Sequence, residues 1–418
     1  MSPQYLNHGG YYGNNSDFGG QYVPEILLPA LKELEQAFHT YKDDPEFLAE
    51  LTFYQKNLIG RPSPIIFAKN LTEQIGGAKI YLKNEGNNLS GSHKINHCLY
   101  QALLAKRMNK TEIIVETGAG QHGLASAMVC AKFNMVCRVH MGTKDISRQY
   151  PNVFFMKQVM GRSGSCIVPV STGTQTLTAA VDSAIGDWIG SPEAYYMLGS
   201  CVGPYPYPEI MREAQKIISK EMKTQMQELE NVLPDVIVAC AGGGSNATGS
   251  FDEFLDDKSV RLVAVEAAGK GLDVIGNHSS KIASGMAQTA VMEGFKSYFL
   301  VNKDGQVMPT QNISAGLDYV GISPFLSYLH SIGRIEVAGI TDAEVLETFQ
   351  LLASTEGLLV ALESCHAVAQ AIKIAKTMTN DKTIVVNLSG RADNYLFNIA
   401  KGLQDKEFEQ FCQDYNEK

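Results

Sequence analysis

The sequence lacks CxxC pairs, long uninterrupted hydrophobic runs and an excess of basic residues. Its eight cysteines are scattered among mostly apolar neighbours, a pattern that predicts reduced thiols in the core of a cytoplasmic protein rather than disulfides or a zinc site. A transmembrane helix requires about 18 consecutive apolar residues, and no segment supplies them. The first residues also lack the basic and apolar regions of a signal peptide. We therefore expect no membrane partner and no export.

The charge balance is acidic, with a formal net charge of −9. No face rich in lysine and arginine stands out, so we expect no nucleic acid partner, because affinity for the phosphate backbone depends on such charges. The chain has 418 residues, of which 44% are hydrophobic. That length and composition indicate a folded protein of two domains, and they favour chemistry on small molecules.

Short runs of β-branched residues alternate with segments of helical periodicity. The predicted strands include residues 113–116, 136–141 and 166–170, followed by the runs DVIVACA, VRLVAVEA and KTIVVNL. Alternation of this kind predicts an α/β fold with mostly parallel sheets covered by helices. A long amphipathic helix is expected at about 215–231, where it would divide two domains.

The run DVIVACAGGGSNATG places three glycines, at 242–244, directly after a buried strand. Glycine lets backbone N–H groups approach a phosphate closely, and ligands bind at the carboxyl ends of strands in open α/β sheets. The same run satisfies a dinucleotide-binding pattern, since Glu266 ends the next apolar run. A phosphate site, a dinucleotide site and a purely structural turn all remain open from these residues.

Two further turns follow apolar runs. In IIVETGAGQHG, Glu116 ends a strand, and the backbone N–H groups of residues 117–123 can surround a carboxylate. In KTIVVNLSGRADN, Ser389 comes just after a strand. Glu116 is a candidate for acid/base chemistry. A solvated or salt-bridged side chain for Glu116 and a helix cap for Ser389 are the simpler alternatives.

The stretch KNEGNNLSGSHKIN ends a glycine-rich turn with Lys94 at the start of a predicted helix. The helix dipole and partial burial would both lower the pKa of this lysine. A free amine near neutral pH can form a Schiff base. A surface cation is the alternative that the local sequence leaves open.

Together these motifs resemble those of a known family. The motifs of the pyridoxal-phosphate (PLP)-dependent tryptophan synthase β subunits are matched, in order, by HKIN at 93–96, ETGAGQHG at 116–123, GGGSNA at 242–247, SAGLDY at 314–319, ALES at 361–364 and NLSGR at 387–391. FGGQYVPE and GRPSP come before these motifs, and SRQYPNVF and GPYPYP lie between them, as the family would have them. The resemblance covers nearly the whole chain.

The resemblance implies a role for each matched residue. Lys94 would hold PLP covalently, Ser389 would meet its pyridine nitrogen and Glu363 would lie near its ring. Glu116 would transfer protons, while Asp318 would close over the amino acid and pair with Arg148. The phosphate would be bound by His93, Gly242, Gly243, Gly244, Ser245 and Asn246. The substrate carboxylate would be bound by Thr117, Gly118, Ala119, Gly120, Gln121 and His122.

The resemblance also implies an architecture and an assembly. PLP would lie between two three-layer α/β domains, residues 1–214 and 215–418, as in fold-type-II enzymes. A segment at about 108–198 would move to close on the substrate, and residues from about 60 to 92 would pack with the second domain. The expected partners are a second copy of the chain and a tryptophan synthase α subunit. Backbone carbonyls near Asp318 would hold a monovalent cation.

The implied reaction replaces the hydroxyl of L-serine with indole, through an aminoacrylate, to give L-tryptophan. Glu293, however, stands where the family has an aromatic residue or histidine beside the route of indole. A carboxylate is costly to desolvate beside an apolar ligand, so a paralogue that uses a more polar nucleophile is the alternative. A non-catalytic relative is a further alternative, but it would have no need to keep Lys94, Glu116 and Ser389 together. Further departures from the family occur at Asn84, Gly86, Asn87, Tyr205, Val320, Ser323, Leu326 and Val360.

Overall fold

Fourteen strands form three sheets in the computed structural model, which describes residues 6–7, 9–161 and 164–416. The strands are β1 (Tyr11–Tyr12), β2 (Phe18–Gly19), β3 (Ile65–Phe67), β4 (Lys79–Asn84), β5 (Glu112–Thr117), β6 (Val136–Gly142), β7 (Cys166–Val170), β8 (Tyr195–Tyr196), β9 (Val236–Cys240), β10 (Arg261–Gly269), β11 (Gln288–Met292), β12 (Phe295–Phe299), β13 (Glu336–Thr341) and β14 (Thr383–Leu388).

Sixteen α-helices accompany these strands within the same described residues. They are α1 (Leu28–Tyr41), α2 (Pro45–Tyr54), α3 (Lys69–Ile75), α4 (Lys94–Arg107), α5 (Gln121–Phe133), α6 (Thr143–Arg148), α7 (Tyr150–Val159), α8 (Leu177–Gly190), α9 (Tyr207–Gln215), α10 (Ile217–Glu230), α11 (Ser245–Phe251), α12 (Pro324–Ser331), α13 (Asp342–Glu356), α14 (Leu362–Ala375), α15 (Leu396–Leu403) and α16 (Lys406–Asn416).

The largest sheet has six strands in the order β13-β10-β9-β14-β4-β3. All neighbouring pairs are parallel except β3 with β4. Its central strands β9 and β14 are buried along their whole length, which explains why they read as continuous apolar runs. The predicted α/β fold with mostly parallel sheets is confirmed. Strands β3 and β4 also bring residues 65–84 into one sheet with the C-terminal half of the chain.

The second sheet is entirely parallel, with strand order β7-β6-β5-β8. It lies within the segment predicted to close on the substrate, of which Arg162 and Ser163 are outside the described residues. Helix α5 packs against helix α4, and α8 packs against strands β5 and β6. The movement of this segment stays a prediction.

The third sheet is antiparallel, with strand order β1-β2-β12-β11, and sequence periodicity did not anticipate it. Strands β1 and β2 have two residues each, which is too short for alternation to be read. Strands β11 and β12 are joined by the two-residue turn Glu293–Gly294, and both residues have positive φ, 50° and 87°. This is the backbone of a tight hairpin whose twist matches that of its strands.

The helix expected at about 215–231 is present as α10, which runs from Ile217 to Glu230. The expectation for the cysteines needs correction. Six of the eight cysteines are buried, but Cys166 is exposed and Cys412 is half-buried, so these two are not core residues. Across the described residues, the model contains no helix with the length and apolar character needed to cross a membrane. The division of the chain at residue 214 stays a prediction.

Candidate active site

Lys94 is the first residue of helix α4 and lies between two adjoining clefts. It lines both the larger cleft, of about 1090 Å³, and the smaller one, of about 560 Å³. Its Nζ donates a hydrogen bond of 3.1 Å to the Gly199 carbonyl. Burial lowers the pKa of Lys94, and the nearby Glu116 and Glu363 offset only part of this effect. The sequence left a surface cation open as an alternative, and this geometry excludes it.

The smaller cleft is bordered by the glycine turn that follows strand β9. A Cβ atom on Gly243 would lie 2.5 Å from Ser200 Oγ, and one on Gly242 would lie 2.8 Å from the Gly316 carbonyl oxygen. Gly244 has a φ of 101°, which side-chain-bearing residues rarely adopt. The turn therefore requires glycine, and it presents a bare backbone to the cleft.

His93 connects this glycine turn with the end of strand β14. Its Nδ1 donates to the Ser389 carbonyl at 3.1 Å, so its Nε2 accepts from the Ser245 hydroxyl at 3.0 Å. Burial, followed by the charge of Lys94, lowers the pKa of His93 to about 3. A neutral imidazole with this tautomer is therefore fixed beside the turn.

Ser389 and Glu363 complete the wall of the smaller cleft. The Ser389 hydroxyl lies 3.2 Å from the Ser364 hydroxyl, and the Cys240 thiol donates to it at 3.5 Å. Glu363 accepts from the Gly316 amide at 2.8 Å, and burial raises its pKa. Strands β9, β14 and β4 are neighbours in the six-stranded sheet, so the turns that follow them meet at one edge.

Glu116, near the end of strand β5, lines the larger cleft together with Lys94. Its Oε1 accepts from the Gly199 amide at 3.0 Å. Burial raises the pKa of Glu116 to about 7; hydrogen bonds from Tyr196 and Gly199 oppose this shift, and the charge of Glu293 adds to it. A carboxyl group with this pKa can both give and take a proton near neutral pH.

The loop from Thr117 to His122 turns around Gly120, whose φ is 86°. The Asn152 side chain holds it by donating to the Ala119 carbonyl at 2.7 Å. The ring nitrogens of His122 face protein groups: Nε2 donates to the Met197 carbonyl at 2.9 Å, and Nδ1 lies 3.3 Å from His97 Nε2. Any contact with a substrate carboxylate would therefore come from the backbone of the loop and not from this imidazole.

Asp318 and Arg148 form only a long ion pair. Arg148 Nη2 is 3.9 Å from Asp318 Oδ2 and only 2.6 Å from Asp145 Oδ1. Asp145 is buried, and this burial raises its pKa to about 6 despite the arginine. Asp145 was not among the residues predicted from the sequence, although its position three residues before Arg148 on one helix was an available signal.

Glu293 lines the larger cleft from the β11–β12 turn. Its Oε2 accepts from the Tyr319 hydroxyl at 2.6 Å, while its shielded Oε1 has no hydrogen-bond partner among the described residues. Burial raises the pKa of Glu293 to about 7. The two carboxyl groups of this cleft thus come from different sheets.

The other departures from the family pattern have local partners. The Asn84 side chain accepts from the Gly86 amide at 3.0 Å and donates to Asn87 at 3.2 Å. Leu326 is buried, and its Cδ1 would lie 2.7 Å from a Cβ on Gly244. Val320 is buried and its carbonyl accepts from the Leu300 amide. None of these departures lines either cleft.

Glu266 does not serve the dinucleotide site that the glycine pattern left open. Its Oε2 accepts from the Ser280 hydroxyl and from the amides of Ile282 and Ala283, at 2.9 to 3.0 Å. The carboxylate is fully buried in strand β10, where a ribose could not reach it. That alternative is therefore wrong.

Parallel sheets, a half-buried lysine at the start of a helix and a glycine turn beside it define the class of protein. The family model described as pyridoxal-phosphate dependent enzyme matches residues 57–390. The chain belongs to this family, and PLP is its cofactor. The chain is also similar to the tryptophan synthase beta chain of Allorhizobium ampelinum, with 50% identity over 386 residues, which are 92% of this chain and 93% of the relative. The predicted resemblance is confirmed.

The residues of the smaller cleft fit PLP. A bare glycine backbone suits the phosphate, a lysine with a lowered pKa suits the aldehyde, and a serine hydroxyl suits the ring nitrogen. All three border one cleft through Gly243, Lys94 and Ser389.

Proposed function

We propose that this chain catalyses the replacement of the hydroxyl of L-serine by indole to form L-tryptophan. The observation that carries the proposal is the shared cleft of Lys94 and Glu116, in which one side chain is an amine with a lowered pKa and the other a carboxyl group that titrates near pH 7. The identity to a tryptophan synthase beta chain supports the same reaction.

In this mechanism, bound PLP supplies an electron sink for bond changes at the amino acid. Lys94 would hold it through Nζ, and the backbone of residues 242–246 would bind its phosphate. Ser389 would meet the ring nitrogen as a neutral hydroxyl. Unlike a carboxylate, a hydroxyl would not keep that nitrogen protonated, which favours elimination at the β carbon over transamination.

Glu116 is assigned to the proton transfers. With a pKa of about 7, its carboxyl group is protonated often enough to donate to the leaving hydroxyl of serine. The resulting carboxylate can then accept the proton of the indole N–H. The Gly199 amide fixes Oε1, which leaves the other oxygen for this exchange.

The walls of the larger cleft suit an aromatic nucleophile. They are largely hydrocarbon, and their apolar side chains include Val23, Leu27, Leu177, Val181, Ile185 and Trp188. The loop backbone from Thr117 to His122 would bind the carboxylate of the amino acid. Asp318, with Arg148 and Asp145 beside it, would close over the amino group and exclude water.

A direct test is the steady-state formation of tryptophan from serine and indole by the purified holoenzyme. Serine-dependent tryptophan formation that disappears in Lys94→Ala is the expected result. Release of pyruvate and ammonia from serine, with no indole consumed, would contradict the assigned nucleophile while leaving the serine chemistry in place.

The second candidate function keeps serine but uses a more polar nucleophile. It is favoured by the Oε1 atom of Glu293, which is shielded, unpartnered among the described residues and adjacent to the cleft. A buried acceptor of this kind gains when a ligand brings an N–H or O–H donor, and it weakens the binding of a ligand that has none. An aromatic heterocycle with a second donor fits both the walls and this carboxyl group.

The assembly is proposed from the same resemblance. A homodimer that accepts a tryptophan synthase α subunit is the expected form, with domains at 1–214 and 215–418. Light scattering of the purified chain, alone and with an added α subunit, tests both contacts. A monomer whose indole turnover is unaffected by the α subunit would contradict this proposal.

A further inference from the structure

Lys281 is a fully buried lysine, and the chemistry proposed above does not use it. It lies in the irregular segment between strands β10 and β11, and it lines neither the larger nor the smaller cleft. Lysine is almost never completely buried unless its charge is compensated. The surroundings of its Nζ atom therefore carry information about its role.

Three oxygen atoms surround the ammonium group. The Ser279 carbonyl lies at 3.0 Å, the Gly242 carbonyl at 3.4 Å and Glu266 Oε1 at 3.7 Å from Nζ. An ammonium group has three donors and no acceptor, so its hydrogens match these three oxygens in number. A neutral amine would instead direct its lone pair at one of them.

Two of these oxygens connect Lys281 to the proposed active site. Gly242 opens the glycine turn assigned to the phosphate of PLP. Ser279 also donates its hydroxyl to Asp318 Oδ1 at 2.9 Å, and Asn312 donates to that hydroxyl at 2.7 Å. Lys281 thus joins the cofactor turn to the segment that carries Asp318.

We propose that the ammonium group of Lys281 acts as an internal monovalent cation. It occupies a carbonyl-lined position that a free potassium or ammonium ion could otherwise fill. The ion expected near Asp318 is then unnecessary in this chain. Lys281 acts as a positioning residue, because it contacts the turn and the loop rather than the reacting atoms. This inference does not depend on which nucleophile the enzyme uses.

The charges around Lys281 support the ammonium form. Burial lowers its pKa, but the negative charges of Glu266 and Asp318 act in the opposite direction. Removing the ammonium would leave the Glu266 carboxylate buried without its counter-charge, and such a loss is strongly destabilising. A small cation that enters the vacated space can restore that charge, whereas a neutral side chain cannot.

The experiment compares wild type, Lys281→Ala and Lys281→Met in buffers of equal ionic strength. The salts are tetramethylammonium, potassium and ammonium chloride, of which the first is too bulky for the site. Two quantities are measured: kcat/KM of the holoenzyme for serine, and the thermal midpoint of the protein without PLP. Lys220→Ala, on the exposed face of helix α10, is the matched control.

We expect wild type and Lys220→Ala to change less than about twofold among the salts. Lys281→Ala should lose on the order of tenfold in tetramethylammonium, a usual size for coupling between sites, and regain most of it in potassium or ammonium. Its thermal midpoint should rise with the same ions. Lys281→Met should lose activity without regaining it, because its side chain fills the space of the ion.

Three outcomes would overturn the proposal. They are strong activation of wild type by potassium, full activity of Lys281→Ala in tetramethylammonium, and full activity of Lys281→Met. If Lys281→Ala does not fold, Lys281→Gln keeps a hydrogen-bond donor and removes the charge. Wild-type activity and an unchanged thermal midpoint in Lys281→Gln would show that the charge is not needed, and would also overturn it.

Discussion

The two clefts that meet at Lys94 differ in which of their polar groups can change charge near neutral pH. In the smaller cleft, His93 and Ser389 have protein partners at hydrogen-bond distance and His93 is neutral, although Glu363 Oε2 has no hydrogen-bond partner among the described residues. In the larger cleft, Glu116 and Glu293 both have pKa values raised to about 7, and one oxygen of Glu293 has no partner within the described residues. The smaller cleft is thus formed mainly by neutral, hydrogen-bonded groups, whereas the larger cleft contains two carboxyl groups that can change charge near neutral pH.

The largest expected effect concerns the residue shared by both clefts. Lys94→Ala should abolish product formation, because no other amine in the matched motifs borders the smaller cleft. Lys220→Ala is the control variant and should behave as wild type. Borohydride reduction of the holoenzyme followed by peptide mapping measures the attachment directly. A pyridoxyl group on any lysine other than Lys94 would show that Lys94 does not hold PLP.

The next largest effect distinguishes the function of the larger cleft from that of the smaller cleft. Glu116→Gln should keep PLP binding intact and reduce turnover of serine by about 10²–10⁴-fold, the usual contribution of a general acid or base. Visible absorbance of the bound cofactor checks the smaller cleft, and steady-state kinetics check the larger one. Turnover within about threefold of wild type would exclude Glu116 from proton transfer.

The residues of a cleft can be predicted from the sequence when they lie in turns that follow neighbouring strands of one sheet. The turns that carry Lys94, Gly243 and Ser389 follow β4, β9 and β14, which lie side by side in one sheet. Glycine turns after apolar runs are visible locally, and parallel strands bring such turns to one edge. The sequence, with the help of the family resemblance, therefore predicted which residues meet at this edge, and their binding of PLP stays a prediction.

The remaining features depend on contacts between distant segments. Glu293 lies in a hairpin whose partner strand β2 is about 280 residues away and only two residues long, so no periodicity indicated the third sheet. The burial of Asp145 and Lys281 likewise depends on loops that carry no regular pattern. The resemblance marked Glu293 as unusual, but its unpartnered oxygen could be seen only in the structure.

A smaller effect is expected on the choice of nucleophile. If Glu293 binds a polar nucleophile, wild type should use indole poorly and hydroxylated or amino-substituted heterocycles well. Glu293→Leu should then shift kcat/KM toward indole by about 10–100-fold, as expected when a buried polar group is removed from an apolar site. Lys220→Ala, which lines neither cleft, serves as the control, with a preference like that of wild type.

Competition assays with serine and equal concentrations of indole and the substituted heterocycles measure this ratio. Efficient tryptophan formation by wild type, unchanged or reduced in Glu293→Leu, would contradict the polar nucleophile. The contrast between the clefts would then concern charge alone and not substrate choice.

The smallest effect is on stability, and it follows from the raised pKa of Glu293. This carboxyl group titrates near 4.5 when exposed and near 7 in the folded chain, so between these values the folded state binds more protons than the unfolded state. Stability must therefore fall as pH rises from about 4.5 to 7, by about 1–3 kcal/mol for this one group.

Glu293→Gln removes the titration but keeps the size of the side chain. We expect the thermal midpoint of the variant, relative to wild type and without PLP, to be higher at pH 8 than at pH 5. An equal difference at both pH values would show that Glu293 is ionised normally, and the larger cleft would then lose one of the two titrating groups that distinguish it.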